Sequence, residues 1–143
     1  MIDPTNALLF CELLTQNDKD PDRQGWRYSL PTTIQWQFFA GDTRTNGAAL
    51  NYGGGSGSDP REISDLTEPA NPNQLCDVFG NFSELCSAVS SNPPYVALGG
   101  DYATGFYATF NGPPTTKKLL QPTAFRQPDA RIGFRVVLLP VAH

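Results

Sequence analysis

Apolar positions repeat with helical spacing near the start of the chain. Ala7, Phe10, Cys11 and Leu14 lie on one face, and Asp3-Pro4 supplies an N-cap followed by proline at the first helical position. This predicts a helix that ends near Gln16, before the polar stretch NDKDPDRQG. A second start signal follows in YSLPTTIQWQFFAGD. Thr32 and Gln35 fit a capping box, and Trp36, Phe39 and Ala40 form the buried stripe behind it. From Gly41 to Asn73 the pattern is that of a loop, and GGGSGSDP (53–60) is a flexible stretch within it. It reads as a mobile loop over a site or as a plain insertion, the second being favoured. Tyr95 to Leu98 and the run IGFRVVLL (132–139) read as short strands. The second is nearly continuous in apolar residues and is expected at the centre of a sheet. Two early helices, then short strands and long loops, predict an α+β fold without internal repeats.

Composition sharpens this. With 143 residues the chain is expected to be a single domain, 1–143, with one modest core. Thirteen Gly and thirteen Pro fit short elements joined by many turns. The formal net charge is −4, which leaves no basic patch for sequence-independent nucleic-acid binding or for an anionic membrane surface. No apolar run approaches the roughly 20 residues of a membrane span, and the first residues lack the basic and small-residue signature of a signal peptide. Compartment stays open, with an extracytoplasmic, surface or virion location among the alternatives. Three cysteines leave at least one unpaired within the chain. Cys11 is expected to pack as a small hydrophobe. Cys76 and Cys86 flank one loop and would close it if bonded, which requires close Cα atoms.

Five segments, in order, resemble the formylglycine-generating enzyme, or sulfatase-modifying-factor, domain, a variant of the C-type-lectin fold. They are FCELL (10–14), YSLPTTIQWQ (28–37), NPNQLCDVFGNFSEL (71–85), LGGDY (98–102) and GFRVV (133–137). The resemblance implies a C-type-lectin-like α+β fold with two short helices, short antiparallel strands and extensive loops. It covers the C-terminal portion of that domain, since the family's opening strands precede the FCELL-type helix. The fold is then either minimal or completed by something else.

The oxidase members of this family place two copper-binding cysteines after the Gly-Gly-Ser-Trp/Tyr motif. Counted from Gly99-Gly100, those positions are Thr104 and Thr109, and hydroxyls do not replace the thiolates that copper(I) requires. Related iron-dependent sulfoxide synthases need several histidines, whereas the one histidine here is His143. Neither copper nor catalysis is expected. The segment LGGDYATGFYATFNGPP (98–114) is then a binding surface or plain packing. Asp101, Tyr102, Thr104, Phe106, Tyr107, Thr109, Phe110 and Asn111 combine rigid aromatics with adaptable polar groups, a composition typical of recognition loops. Some proteins of this fold are display scaffolds diversified by retroelements in this segment.

The family also implies a structural calcium ion on CDVFGNFSEL. Its ligands here would be the Asp77 side chain, the carbonyls of Gly80 and Phe82, and the Glu84 side chain. Hard oxygens on a tight loop suit that ion. The alternative is that Asp77 and Glu84 accept backbone amides and hold the loop without metal. The leading expectation is a non-catalytic recognition or assembly module, with a protein partner or homo-oligomer. A retroelement-diversified ligand binder and a formylglycine-generating type oxidase are the alternatives. Carbohydrate binding is an association with the lectin fold alone.

Overall fold

The computed structural model describes residues 2–41, 50–51, 73, 75–76, 78–89, 92–102, 123–124 and 130–141. Helix α1 spans Pro4–Asn17 and α2 spans Thr33–Ala40. The strands are β1 (Trp26–Ser29), β2 (Leu50–Asn51), β3 (Phe79–Gly80), β4 (Ser83–Ser87), β5 (Tyr95–Leu98), β6 (Thr123–Ala124), β7 (Ile132–Phe134) and β8 (Val137–Pro140).

Both helices start where their caps dictate. The Asp3 carboxylate accepts the Asn6 backbone N–H at 2.8 Å, which satisfies one of the amides that a helix start leaves without a partner. At α2 the capping box is complete, with Thr32 and Gln35 each accepting the other's backbone N–H.

A four-stranded sheet runs in the order β6-β5-β4-β7. Side chains alternate across it. Leu85 meets Ala7, Cys11 and Leu30 on the face that α1 covers. Cys86, Val96 and Leu98 meet Trp36, Ala40 and Val78 on the face that α2 covers. The start of α2 is tied to the end of β4, because the Ser87 N–H donates to the Pro31 carbonyl at 2.9 Å. Strands β1 and β8 form a separate antiparallel ribbon against α1. Among the described residues no helix is long and apolar enough to cross a membrane.

Three expectations are corrected. The run 132–139 does not form one central strand. It breaks at Arg135-Val136, and β7 takes a sheet edge while β8 pairs with β1. The central strands are β4 and β5, and β4 falls in the segment read as a loop. Nor are all strands antiparallel: β4 pairs with β7, and β2 with β3, in parallel. Some 44 residues separate β4 from β7 (88–131), a connection long enough for the crossover that parallel pairing requires. Finally, Phe10 was expected in the core with Ala7 and Cys11, but it is 49% exposed and meets Phe134 edge to face at 5.4 Å between ring centroids.

The link from α1 to β1 is organised around Asp18. Its Oδ2 accepts the Tyr28 hydroxyl at 2.8 Å and Arg23 Nη1 at 3.0 Å, and its Oδ1 accepts the Asp20 N–H at 3.0 Å. The Asp20 amide, the Tyr28 hydroxyl and Arg23, in that order, hold the Asp18 carboxyl below the usual carboxylate range. A depressed carboxyl contributes stability above its unfolded value, and this is lost as pH falls through the folded value. Asp18→Asn is therefore expected to be less stable than wild type near pH 7. The difference should shrink as urea midpoints are measured at successively lower pH, through and below the ordinary carboxylate range. A difference that stays constant with pH would show that the charge on Asp18 is immaterial.

Candidate functional site

The Glu84 carboxylate is the one buried acidic group among the described residues, with 6% of the residue exposed. Strand alternation places it on the α2 face of β4, beside Cys86 and opposite Leu98. A buried charge is tolerated when it is paired and hydrogen-bonded, and this one is. Oε2 accepts the indole N–H of Trp36 at 2.6 Å. Oε1 accepts from Arg135 through Nε at 3.0 Å and through Nη2 as well. Nη2 of Arg135 also donates to the Cys76 carbonyl at 3.1 Å, and the guanidinium lies 5.9 Å from the centroid of the Phe39 ring.

The turn before β4 positions this carboxylate. Gly80 and Asn81 take positive φ values of 82° and 58°, the conformations that Gly and Asn adopt most readily. The Gly80 N–H donates to the Gly99 carbonyl, and the Tyr102 N–H donates to the Asn81 carbonyl, both at 2.8 Å. The rings of Phe82 and Tyr102 meet edge to face at 5.7 Å. Asp101 lies 3.9 Å from Arg131. The turn is thus pinned to LGGDY on both sides.

Of the expected calcium set, Gly80 and Phe82 lie in this turn, Glu84 points into the core, and Asp77 lies outside the described residues. A cation on Glu84 would share the carboxylate with a guanidinium, and that positive charge opposes it. Both Glu84 oxygens are met by side chains, the Trp36 indole and the Arg135 guanidinium, and not by the backbone amides of the expected metal-free alternative. Among the described residues no group of three or more His, Cys, Asp or Glu gathers as a metal cluster would. Of the expected surface residues, Asp101 and Tyr102 flank the turn as described. Thr104, Phe106, Tyr107, Thr109, Phe110 and Asn111 lie outside the described residues.

All three cysteines are free thiols. Cys11 packs with Leu85 on one face of the sheet and Cys86 with Trp36 on the other, so these two thiols do not converge. Burial, and secondarily the Glu84 charge, push the Cys86 thiol far up. Because only the thiolate is nucleophilic, Cys76, which is partly exposed, is expected to react first with a disulfide reagent under native conditions. Cys11 and Cys86 should react only after denaturation. Three equally fast thiols in the native protein would contradict this packing.

Arg135 is the site residue that sequence reasoning passed over. It was read as part of a strand. The available signal was an arginine inside an apolar run, since a charge that enters a core needs a partner there. No protein-family model, curated protein or solved structure matches the chain.

Proposed function

We propose that the chain is a non-catalytic recognition or assembly module on a formylglycine-enzyme-like, C-type-lectin-like scaffold. The observation that carries this reading is the convergence of four of the resembling segments on one buried network. Trp36 comes from YSLPTTIQWQ, Glu84 from NPNQLCDVFGNFSEL, Gly99 from LGGDY and Arg135 from GFRVV. FCELL supplies Cys11 to the opposite face of the same strand. This network consumes its polar groups in packing: both oxygens of the buried carboxylate are already engaged. The two positions where the resemblance puts copper ligands carry Thr104 and Thr109.

The assembly half of the reading draws on α1, which leaves Leu8, Leu9, Phe10 and Leu13 each between 39% and 49% exposed. Contiguous exposed apolar residues favour association. The test is native mass spectrometry of the purified chain at micromolar concentration. A defined oligomer is expected, reverting to monomer in Leu9→Asp/Leu13→Asp, which alters exposed positions only. A monodisperse wild-type monomer would remove the self-association that this face predicts. For the non-catalytic half, copper-dependent oxygen consumption with a Cys-x-Pro-x-Arg peptide would overturn the reading. With Glu84 acting as the partner of Arg135, a chelator is expected to leave the melting temperature unchanged. A fall on chelation would favour the calcium site instead.

A further inference from the structure

Asn81-Phe82-Ser83 is the one Asn-x-Ser/Thr triplet in the chain, the acceptor pattern for N-linked glycans. In the fold this triplet is closed. Asn81 is only 7% exposed and sits at φ 58°. Its carbonyl accepts the Tyr102 N–H, and the Gly80 N–H just before it donates to Gly99. Ser83 donates its N–H to the Arg131 carbonyl at 3.0 Å and pairs with Ile132 in the β4–β7 ladder. Phe82, between them, is held edge to face against Tyr102.

Glycan transfer joins the anomeric carbon of a lipid-pyrophosphate-linked oligosaccharide to Nδ2 of the asparagine. The sugar–phosphate bond breaks, the lipid pyrophosphate leaves, and the amide gives up one proton. The amide nitrogen must reach out of the protein surface, with the hydroxyl two residues on free to approach the transferase. A left-handed, buried Asn81 fails the first condition, and the β4–β7 ladder fixes the Ser83 backbone in an extended strand beside it.

We propose that Asn81 accepts a glycan only in the unfolded chain, and that a glycan there prevents the 78–84 turn from closing. An oligosaccharide on a residue buried to this extent has no room unless the turn leaves LGGDY. Glu84, three residues on, would then lose its approach to Trp36 and Arg135. Folding and glycosylation thus exclude one another at this site, and in a glycosylating compartment the faster of the two decides the fate of each molecule.

The test is cell-free synthesis of the full chain behind a cleavable targeting signal, in the presence of glycosylating microsomes. Wild type is compared with Leu85→Pro, which cannot form β4, and each chain is scored for an endoglycosidase-sensitive mass gain and for protease resistance. Leu85→Pro is expected to carry one glycan, lost on adding Ser83→Ala, and protease-resistant wild-type molecules are expected to carry none. A protease-resistant wild-type chain bearing the glycan would overturn the proposal, as would a Leu85→Pro chain bearing none.

Discussion

Arg135→Met is expected to destabilise the protein by roughly 3–5 kcal/mol, the range seen when one partner of a buried ion pair is removed. Two magnitudes compete here. Ion pairs in solvent are worth about 0–1 kcal/mol, and the Arg135 side chain is 27% exposed. The Glu84 side chain, however, is 8% exposed, and it is the group left behind. Without the guanidinium its carboxylate keeps the Trp36 N–H alone, and the Cys76 carbonyl loses its donor. The penalty of an uncompensated buried charge therefore decides the outcome, not the screened attraction of the pair. The same reasoning makes the double substitution Glu84→Gln/Arg135→Met milder than Arg135→Met by itself. The amide oxygen still accepts from Trp36, and no charge is stranded. Urea midpoints followed by tryptophan fluorescence give the four corners of the cycle. A loss under about 1 kcal/mol for Arg135→Met would class the pair with solvent-screened surface pairs.

This network also shows where sequence reading succeeds and where it stops. Helix starts were legible because caps are local: Asp3 reaches Asn6, and Thr32 and Gln35 reach each other, all within three residues. Strand β5 was legible because Tyr95 to Leu98 is short, apolar and bounded by Pro and Gly. Gly80 and Asn81, at φ 82° and 58°, are residue types that adopt positive φ readily, a signal of the same local kind. Strand β4 was not legible. Its sequence, SELCS, carries a glutamate where a period-two pattern requires an apolar residue, and the partner that makes this tolerable lies 51 positions away. The run 132–139 misled in the opposite direction, because its apolar residues serve two sheets rather than one. In α1 the apolar residues go almost all the way round, with Leu8, Leu9 and Leu13 beside the buried Ala7 and Cys11. Periodicity alone then cannot select the face, and Phe10 fell on the wrong side. Tertiary partners decided each of these cases, and a linear pattern does not contain them.

Gly99→Ala is expected to be nearly as damaging, for reasons of space and backbone together. Gly99 has φ 92°, and holding a residue with a side chain in such a region costs about 1–3 kcal/mol. A Cβ there would also lie 2.6 Å from the Val78 carbonyl oxygen and 3.2 Å from Cζ2 of Trp36. The first contact is with backbone, which cannot swing aside as a side-chain tip can, and the second is with a ring held by its hydrogen bond to Glu84. Overpacking of this kind adds about 1–3 kcal/mol. Gly25 supplies the control, since its φ is 80° and an added Cβ would meet nothing within 4 Å. Gly25→Ala therefore reads the backbone part alone, and the excess loss in Gly99→Ala reads the collision with Val78 and Trp36. Relief of that collision must move the turn or the indole, so Gly99→Ala should also alter the Trp36 emission spectrum, whereas Gly25→Ala should not. Equal losses in the two variants, with unchanged emission, would mean that LGGDY does not press on Trp36, and the interlocking of the resembling segments would lose its central contact.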